Sequence, residues 1–302
     1  MAAAPEPKRF EGFATPESVL IWRGAEAKDD LWIVSNINGS PLDKDDNGYI
    51  SKVGPDGTKV AEKWIDGAAA DIELNAPKGS ATDGKMLWVA DIDAVRKFDV
   101  ATGKLVKSIA LDGATFANDV VIDAKGRLLV TDSGLKSDGK GGFTDSGSAG
   151  IWAIEAGKDE ANLIAKGPEI GHPNGIALLN DGFVINGFDD TKKLVILDAT
   201  GKATGSVDVA YGSLDGLAIP VSNKKGDFAA LVSSWDGGRL LEVDFVDGKA
   251  TTTVLAEGLK GPADFAFDDK ATALVVPQLM DNAIDWRVLA KAPGAGIAKD
   301  PQ

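Results

Sequence analysis

Four polar side chains in this sequence have the types and the spacing that a cation site requires. Each stands shortly before an apolar run with the character of a strand, and the four are Glu17, Asn118, Asn174 and Asp215. Two carboxylates and two amide oxygens form a hard ligand set that suits calcium. The alternative for each residue is that it caps a turn, as Asn and Asp often do. The fold must decide between the two by bringing these positions together or keeping them apart.

The elements that must position these residues recur along the chain. Six short apolar runs have the length and the branched side chains of buried strands. They are centred on Trp32, Trp88, Leu129, Val184, Leu231 and Val275, in steps of 56, 41, 55, 47 and 44 residues. Such a period, with insertions, is typical of a four-stranded propeller blade. Asp-Gly and Thr-Gly pairs recur at one place in the repeat, as tight hairpins require.

The repeats predict an all-β fold, namely a six-bladed β-propeller of four-stranded antiparallel blades in a single domain over residues 1–302. The ordered core is expected over about residues 8–292, with a loose tail from Ala292 to Gln302. The segment from Lys8 to Ala14 is predicted to supply the outer strand of the last blade and to close the ring, because an open propeller exposes strand edges. Two insertions, from Asn36 to Asn47 and from Ser133 to Gly150, are predicted surface loops. The starts of the innermost strands surround the tunnel of a propeller, so the four polar residues are expected to meet there.

Composition narrows the class of partner and of metal. The 302 residues include 46 acidic and 32 basic side chains, for a net charge of −14, which argues against a nucleic-acid partner. No apolar run is long enough to cross a membrane. With no cysteine and a single histidine, thiolate sites and multi-histidine zinc sites are excluded, so a metal would have oxygen ligands. The segment Met1–Pro7 resembles a mature end left after export, so a periplasmic or secreted protein is expected, with a cytoplasmic one as the alternative.

The motifs around the four polar residues resemble a known family. They are Glu17, Asn118-Asp119 followed by Gly126-Arg127-Leu128, Pro173-Asn174-Gly175 and Asp215-Gly216-Leu217. The family is that of senescence marker protein, gluconolactonase and luciferin-regenerating enzyme; paraoxonases and diisopropyl-fluorophosphatase are similar more distantly. The resemblance extends from Glu17 to Asn282 and implies a six-bladed propeller. It also implies a divalent metal on Glu17, Asn174 and Asp215, with Asn118 contacting metal or substrate. Calcium is expected, with Mg²⁺, Mn²⁺ or Zn²⁺ as alternatives.

The resemblance implies hydrolysis of a lactone or related ester, with a small molecule as the substrate. Asp215 is the first candidate to activate the water, and His172, the sole histidine, is the second. Two other functions stay open: a non-catalytic, metal-stabilised ligand-binding propeller, and an enzyme similar to strictosidine synthase. No oligomeric state is predicted.

Four further residues are candidates with alternative interpretations. Phe116 stands where sugar-lactone members of the family carry Arg, which argues against an aldonolactone and favours a more apolar substrate if Phe116 lines the pocket; ordinary core is the alternative. Lys78 is either a contact for an anionic substrate or the salt-bridge partner of Asp119 or Asp215. Asp119 and Asp264 either hold a second, deeper calcium ion or satisfy buried backbone amides between blades.

Overall fold

The computed structural model describes residues 5–298 of the chain. Within this range the chain forms β-strands and two 3₁₀ helices, Ala27–Asp29 and Leu279–Asp281. Six antiparallel four-stranded sheets form the blades of a propeller ring, so the predicted fold is confirmed. Residues 5–298 contain no helix with the length and hydrophobicity that crossing a bilayer requires.

The blades follow the chain from the N-terminus, apart from the first strand, β1 (Lys8–Glu11), which belongs to the last blade. Blade 1 consists of β2 (Pro16–Trp22), β3 (Leu31–Asn36), β4 (Tyr49–Val53) and β5 (Lys59–Asp66), and blade 2 of β6 (Pro77–Thr82), β7 (Met86–Asp91), β8 (Ala94–Asp99) and β9 (Leu105–Ala110). Blade 3 consists of β10 (Ala117–Ile122), β11 (Leu128–Asp132), β14 (Gly150–Ile154) and β15 (Ala161–Ala165). Two short strands, β12 (Leu135–Ser137) and β13 (Phe143–Asp145), are inserted between β11 and β14. Blade 4 consists of β16 (Pro173–Leu179), β17 (Gly182–Gly187), β18 (Lys193–Leu197) and β19 (Ala203–Asp208), and blade 5 of β20 (Leu214–Ser222), β21 (Phe228–Ser234), β22 (Arg239–Val246) and β23 (Lys249–Glu257). Blade 6 consists of β24 (Ala266–Asp268), β25 (Ala273–Gln278) and β26 (Ala283–Val288), with β1 as its outermost strand.

The core lies between neighbouring blades. Every residue of the second strands β11 and β21 is buried, because each of these strands is covered on both faces by the adjacent blades. One apolar cluster joins Val184 and Leu194 of blade 4 to Phe228 and Val232 of blade 5. The outer strands β15 and β23 contain no buried residue, in contrast to these second strands.

The ring is closed as the sequence predicts. Strand β1 pairs antiparallel with β26, with Lys8 opposite Trp286 and Glu11 opposite Ala283. Behind this pairing, the Phe10 ring meets Trp32 of blade 1 edge-on at 5.6 Å, and Trp32 stacks on Trp286 of blade 6 at 5.6 Å. Aromatic contacts therefore join the first blade to the last across the closure.

Two predictions about irregular segments are wrong. The insertion from Ser133 to Gly150 is not a plain loop, because β12 and β13 pair within it as a two-stranded hairpin. The chain after residue 292 is not loose up to Ala298: Gly294 N donates to Glu242 Oε1 at 2.9 Å, and Ile297 is buried. The Gly294 bond joins residues 52 positions apart, so no local sequence pattern predicts it. The last part of the predicted tail and residues 1–4 lie outside the described residues.

Candidate functional site

Irregular pairing at the start of the inner strands positions the candidate residues. The first strands of blades 1 to 5 each begin with a break in the antiparallel register, at Pro16/Ser18, Pro77/Ser80, Ala117/Val120, Pro173/Ile176 and Leu214/Leu217. A β-bulge leaves a residue unpaired and redirects its side chain. The residues inside these five breaks include Glu17, Lys78, Asn118, Asn174 and Asp215. The same local device therefore presents one polar side chain from each of five blades.

Glycines beside these residues allow the inner strands to approach one another. A Cβ atom on Gly175 would stand 2.3 Å from the Asp215 carbonyl oxygen, and one on Gly216 would stand 2.8 Å from the Asp264 Cα atom. Both positions therefore admit only hydrogen at Cα without a shift of backbone. The Asn-Gly and Asp-Gly pairs in the motifs join a polar side chain to the close packing that makes the tunnel narrow.

The polar residues meet in one cavity of about 210 Å³, here called the central cavity. Its lining comprises Thr15, Glu17, Ile37, Gly39, Pro41, Lys78, Phe116, Asn118, Phe143, Asn174, Phe188, Asp215, Trp235 and Leu279. The four residues proposed as a cation site are all present, together with Lys78 and Phe116. Residues far apart in the sequence, from Thr15 to Leu279, thus line one cavity.

Three acceptor atoms in the central cavity have no partner within residues 5–298. Glu17 Oε2, Asn174 Oδ1 and Asp215 Oδ1 are buried and accept no hydrogen bond. A buried acceptor without a partner costs free energy, so such atoms usually indicate a missing ligand, water or ion. No group of three or more His, Cys, Asp or Glu side chains suited to a metal is found in the described part of the chain. A cation here would therefore depend on amide oxygens as well as on the two carboxylates.

Burial and mutual repulsion shape the charges of the cavity. Burial raises the pKa of Glu17 well above its usual value; Asp215 adds to the rise, and Lys78 opposes it. Burial also raises the pKa of Asp215, with a further rise from Asp264, and the Asn174 amide opposes it. Burial lowers the pKa of Lys78, while Glu17 acts in the opposite direction. The site therefore resists two full negative charges unless an added positive charge compensates them.

Lys78 and Phe116 form one wall of the cavity. The Lys78 ammonium donates to the carbonyl oxygens of Ala76 at 3.2 Å and Pro41 at 3.3 Å, and it lies 4.6 Å from the centre of the Phe116 ring. These contacts, and not an ion pair with Asp119 or Asp215, hold Lys78 in the described structure, so that salt-bridge alternative is wrong. The ammonium is held by carbonyls and a π-face instead. Phe116 lines the cavity and is buried, and its effect on the choice of substrate stays a prediction.

Ser133, which the sequence analysis missed, holds both Asn118 of blade 3 and Pro173 of blade 4. Asn118 Nδ2 donates to Ser133 Oγ at 3.1 Å, and Ser133 Oγ donates to the Pro173 carbonyl oxygen at 2.7 Å. Because the amide nitrogen of Asn118 is used in this way, its orientation is set. These two hydrogen bonds connect blade 3 to the start of the inner strand of blade 4.

A second set of buried polar residues supports the starts of the inner strands from behind. Each lies at or near the end of a second strand and accepts a hydrogen bond from the backbone at the start of the same blade: Asn36 from Ala14, Asp91 from Ala76, Asp132 from Phe116, Asn186 from Gly175 and Gln278 from Lys260. Asn186 also donates to the Asp215 carbonyl oxygen at 2.7 Å. A polar residue that ends each second apolar run is the sequence signal that would have found them.

His172 does not belong to the central cavity. Its Nδ1 atom lies 2.8 Å from the Ser133 carbonyl oxygen, a contact in which Nδ1 carries the proton and donates. The residue is not part of the cavity lining. Asn174, two residues later, lines the cavity, whereas the His172 ring hydrogen-bonds to the backbone of blade 3.

Asp119 on β10 and Asp264, two residues before β24, line a separate cavity of about 280 Å³. Asp119 accepts hydrogen bonds from the backbone nitrogens of Val120 at 2.7 Å and Ile176 at 3.0 Å, and Asp264 accepts one from Ser18 Oγ at 2.6 Å. Burial raises the pKa of Asp264 to about 7, and burial with the Asp264 charge raises that of Asp119. The bond to Ile176 crosses from blade 3 to blade 4, as the backbone interpretation expects. A second ion at these two residues stays a prediction.

Comparisons with known proteins identify no family for this chain. No protein-family model matches the sequence, and no curated protein matches it. A crystal structure of BBS1N in complex with ARL6DN, soaked with mercury, is similar to this chain with a TM-score of 0.48 and 13% sequence identity, over 94% of each chain. At that similarity the match carries no argument. The strand order of the six sheets itself establishes the propeller.

Proposed function

We propose that this protein is a divalent-metal-dependent hydrolase of a lactone or related ester, with calcium as the first candidate metal. The observation that carries the proposal is the set of three unpartnered acceptors, Glu17 Oε2, Asn174 Oδ1 and Asp215 Oδ1, from three blades in one cavity. Carboxylate and amide oxygens are the donors that calcium prefers, and Mg²⁺ and Mn²⁺ take similar ligands. The motif resemblance to the gluconolactonase family supports the same reaction class.

The raised pKa values of Glu17 and Asp215 also support a cation at this position. Two buried carboxylates that repel each other are stabilised in their ionised forms by a nearby divalent charge. When bound, such a cation supplies a Lewis acid for the carbonyl oxygen of an ester. Glu17, Asn174 and Asp215 would hold it, with Asn118 beside them.

The chain's own residues account for the other requirements of hydrolysis. Asp215 accepts a proton from the attacking water while the oxygen of this water bonds to the acyl carbon. The bond from the acyl carbon to the alkoxy oxygen then breaks, and the departing oxygen takes the proton from Asp215. The Lys78 ammonium, buried in the same cavity, favours the negative charge that develops on the carbonyl oxygen. The surrounding apolar side chains keep bulk water away from these charges.

The test is the hydrolysis of a panel of lactones and esters with calcium, with a chelator, and by Asp215→Asn. This variant keeps the size of the side chain but removes the base, so we expect turnover to fall about 100-fold or more. Asp208→Asn, at an exposed position on β19, is the matched control and should leave turnover unchanged.

An unchanged rate in Asp215→Asn, or in the presence of chelator, would contradict the proposal. If chelation lowers the melting temperature but no lactone or ester is hydrolysed, the protein is a non-catalytic, metal-stabilised ligand-binding propeller. Condensation of an amine with an aldehyde, in place of hydrolysis, would indicate the activity similar to strictosidine synthase.

A further inference from the structure

We infer that the ligand of the central cavity is a compact molecule that carries an aromatic ring, and that Phe143 selects for this ring. For the reaction, the inference rests on the proposed hydrolysis: the substrate would be an aryl-substituted lactone or ester. For the ligand class, it rests on the walls of the cavity alone.

Two aromatic pairs line the cavity. Phe116 and Phe143 meet edge-to-face with their ring centres 5.6 Å apart, and Phe188 and Trp235 do the same at 5.8 Å. The four rings come from blade 3, its inserted hairpin and the segments that follow β17 and β21. Edges and faces of aromatic rings are the surfaces against which another ring packs best.

The remaining walls offer few partners for hydroxyl groups. Ile37, Pro41 and Leu279 complete the apolar part of the lining. Apart from the charged and amide residues already assigned to the cation and the reaction, Thr15 and the indole N–H of Trp235 are the side-chain groups of the described lining that can form hydrogen bonds. A sugar lactone brings several hydroxyls, and each hydroxyl buried without a hydrogen bond weakens binding. The cavity therefore discriminates against polyhydroxylated ligands.

The size of the cavity limits the ligand as well. Its volume of about 210 Å³ lies below the usual range for ligand sites, which is roughly 300–1,000 Å³. One small ring and one aromatic substituent suit such a volume, whereas an oligosaccharide does not. This favours a compact substrate whose acyl group lies over Glu17 and Asp215 and whose ring lies between the aromatic pairs.

Phe143 is the residue of this wall that can be changed without harm to the core. It belongs to β13 of the inserted hairpin and is 43% exposed, although it also lines the cavity. A bound ring that covers Phe143 removes apolar surface from water, which favours binding. Phe116 is unsuitable for this test because it is buried and contacts the Lys78 ammonium.

The experiment compares the calcium-loaded protein with Phe143→Ala, Phe143→Leu and Leu163→Ala. Leu163 lies on β15 of the same blade, has the same exposed fraction of 43% and does not line the cavity, so it is the matched control. The kcat/KM values are measured for γ-phenyl-γ-butyrolactone, unsubstituted γ-butyrolactone and D-glucono-δ-lactone. Calorimetry measures binding of phenylcyclopentanone and cyclopentanone, which cannot be hydrolysed.

We expect the phenyl lactone and the phenyl ketone to be preferred over their unsubstituted forms. Phe143→Ala should reduce that preference about tenfold, Phe143→Leu less, and Leu163→Ala not at all. A preference for the gluconolactone, or a phenyl preference that Phe143→Ala leaves intact, would overturn the inference and leave the proposed hydrolysis standing. Selective binding of the phenyl ketone without hydrolysis of any lactone would support the ligand class and contradict the proposed function.

Discussion

At the scale of single residues, the protein places an unusual number of ionisable groups in a narrow interior. Glu17, Asp119 and Asp215 are buried and Asp264 is partly buried, and Lys78 is the one cation of residues 5–298 that opposes the rise in the pKa of Glu17. Buried charges that lack a partner are costly, so these carboxyls hold their protons to higher pH than exposed ones do. The metal-free protein is therefore sensitive to pH in a way that a surface cluster would not be.

The pH dependence has a defined sign. The pKa of Asp264 is raised by burial to about 7 in the folded protein, against about 4 in an unfolded chain. Between these values the folded state binds more protons than the unfolded state, so stability falls as the pH rises from about 4 to about 7. With chelator present, we expect a higher melting temperature at about pH 5.5 than at about pH 7.5.

Asp264→Asn is expected to reduce this difference, because it removes one of the groups whose pKa is raised. Carboxyls with lowered pKa values, such as Asp30 beside Arg23, lose their stabilising effect only as the pH falls below about 4, outside this window. A chelated protein whose melting temperature is the same at both pH values, or higher at the more alkaline one, would contradict the assignment.

At the scale of the strands, the bulged starts of the inner strands of blades 1 to 5 carry the site. Each bulge presents a polar side chain, and in blades 4 and 5 a following glycine permits close packing. A polar residue near the end of the second strand of blade 4 holds the backbone there. Asn186 shows the consequence most clearly, because it bonds Gly175 N at 2.8 Å and the Asp215 carbonyl oxygen at 2.7 Å. One side chain thus fixes two of the proposed ligand positions relative to each other.

We therefore expect Asn186→Ala to weaken calcium binding about 10–100-fold, as loss of outer-shell support does in metal sites. Titration calorimetry measures the affinity, and the melting temperature of the chelated protein reports separately on the loss of hydrogen bonds. Asn162→Ala, on the exposed outer strand β15, is the control. If Asn186→Ala lowers the melting temperature but binds calcium as the wild type does, Asn186 supports the fold and not the site.

At the scale of the whole molecule, the ring holds the site together because its ligands come from separate blades. Any opening of the ring separates Glu17 of blade 1 from Asp215 of blade 5. The closure depends on β1 and on the aromatic contacts of Phe10, Trp32 and Trp286. On the inner side, Asp264 N donates to the Glu17 carbonyl oxygen at 3.0 Å, so blade 6 also supports a candidate ligand directly.

Phe10→Ala should lower the free energy of unfolding by about 2 kcal/mol. This loss is smaller than for a fully buried Phe, because Phe10 is only partly buried. Chemical denaturation measures the loss. Val106→Ala, at an exposed position of β9, should change the stability by less than about 0.5 kcal/mol. Equal stabilities of the two variants would show that β1 contributes little to closure.

The parts of the protein that repeat were predictable from the sequence, and the parts that do not repeat were not. Six equivalent apolar runs and their preceding polar residues give the blades, the closing strand and the positions around the tunnel. Phe143 and the hairpin of β12 and β13 occur once, so no repeat indicates them. Phe188 and Trp235 each directly follow a second strand, as Ile37 and Leu279 of the lining do, and this shared position is a signal that the sequence analysis did not use. His172 was misplaced because nearness to Asn174 in sequence does not set the direction of its ring.

The most direct test of the metal site is a crystal structure of the protein grown with calcium. We predict one cation in the central cavity, bound by Glu17 Oε2, Asn174 Oδ1 and Asp215 Oδ1 at about 2.3–2.6 Å, the usual range for calcium and oxygen. A structure at high calcium concentration in which these three atoms contact only water, with no cation among them, would contradict the account.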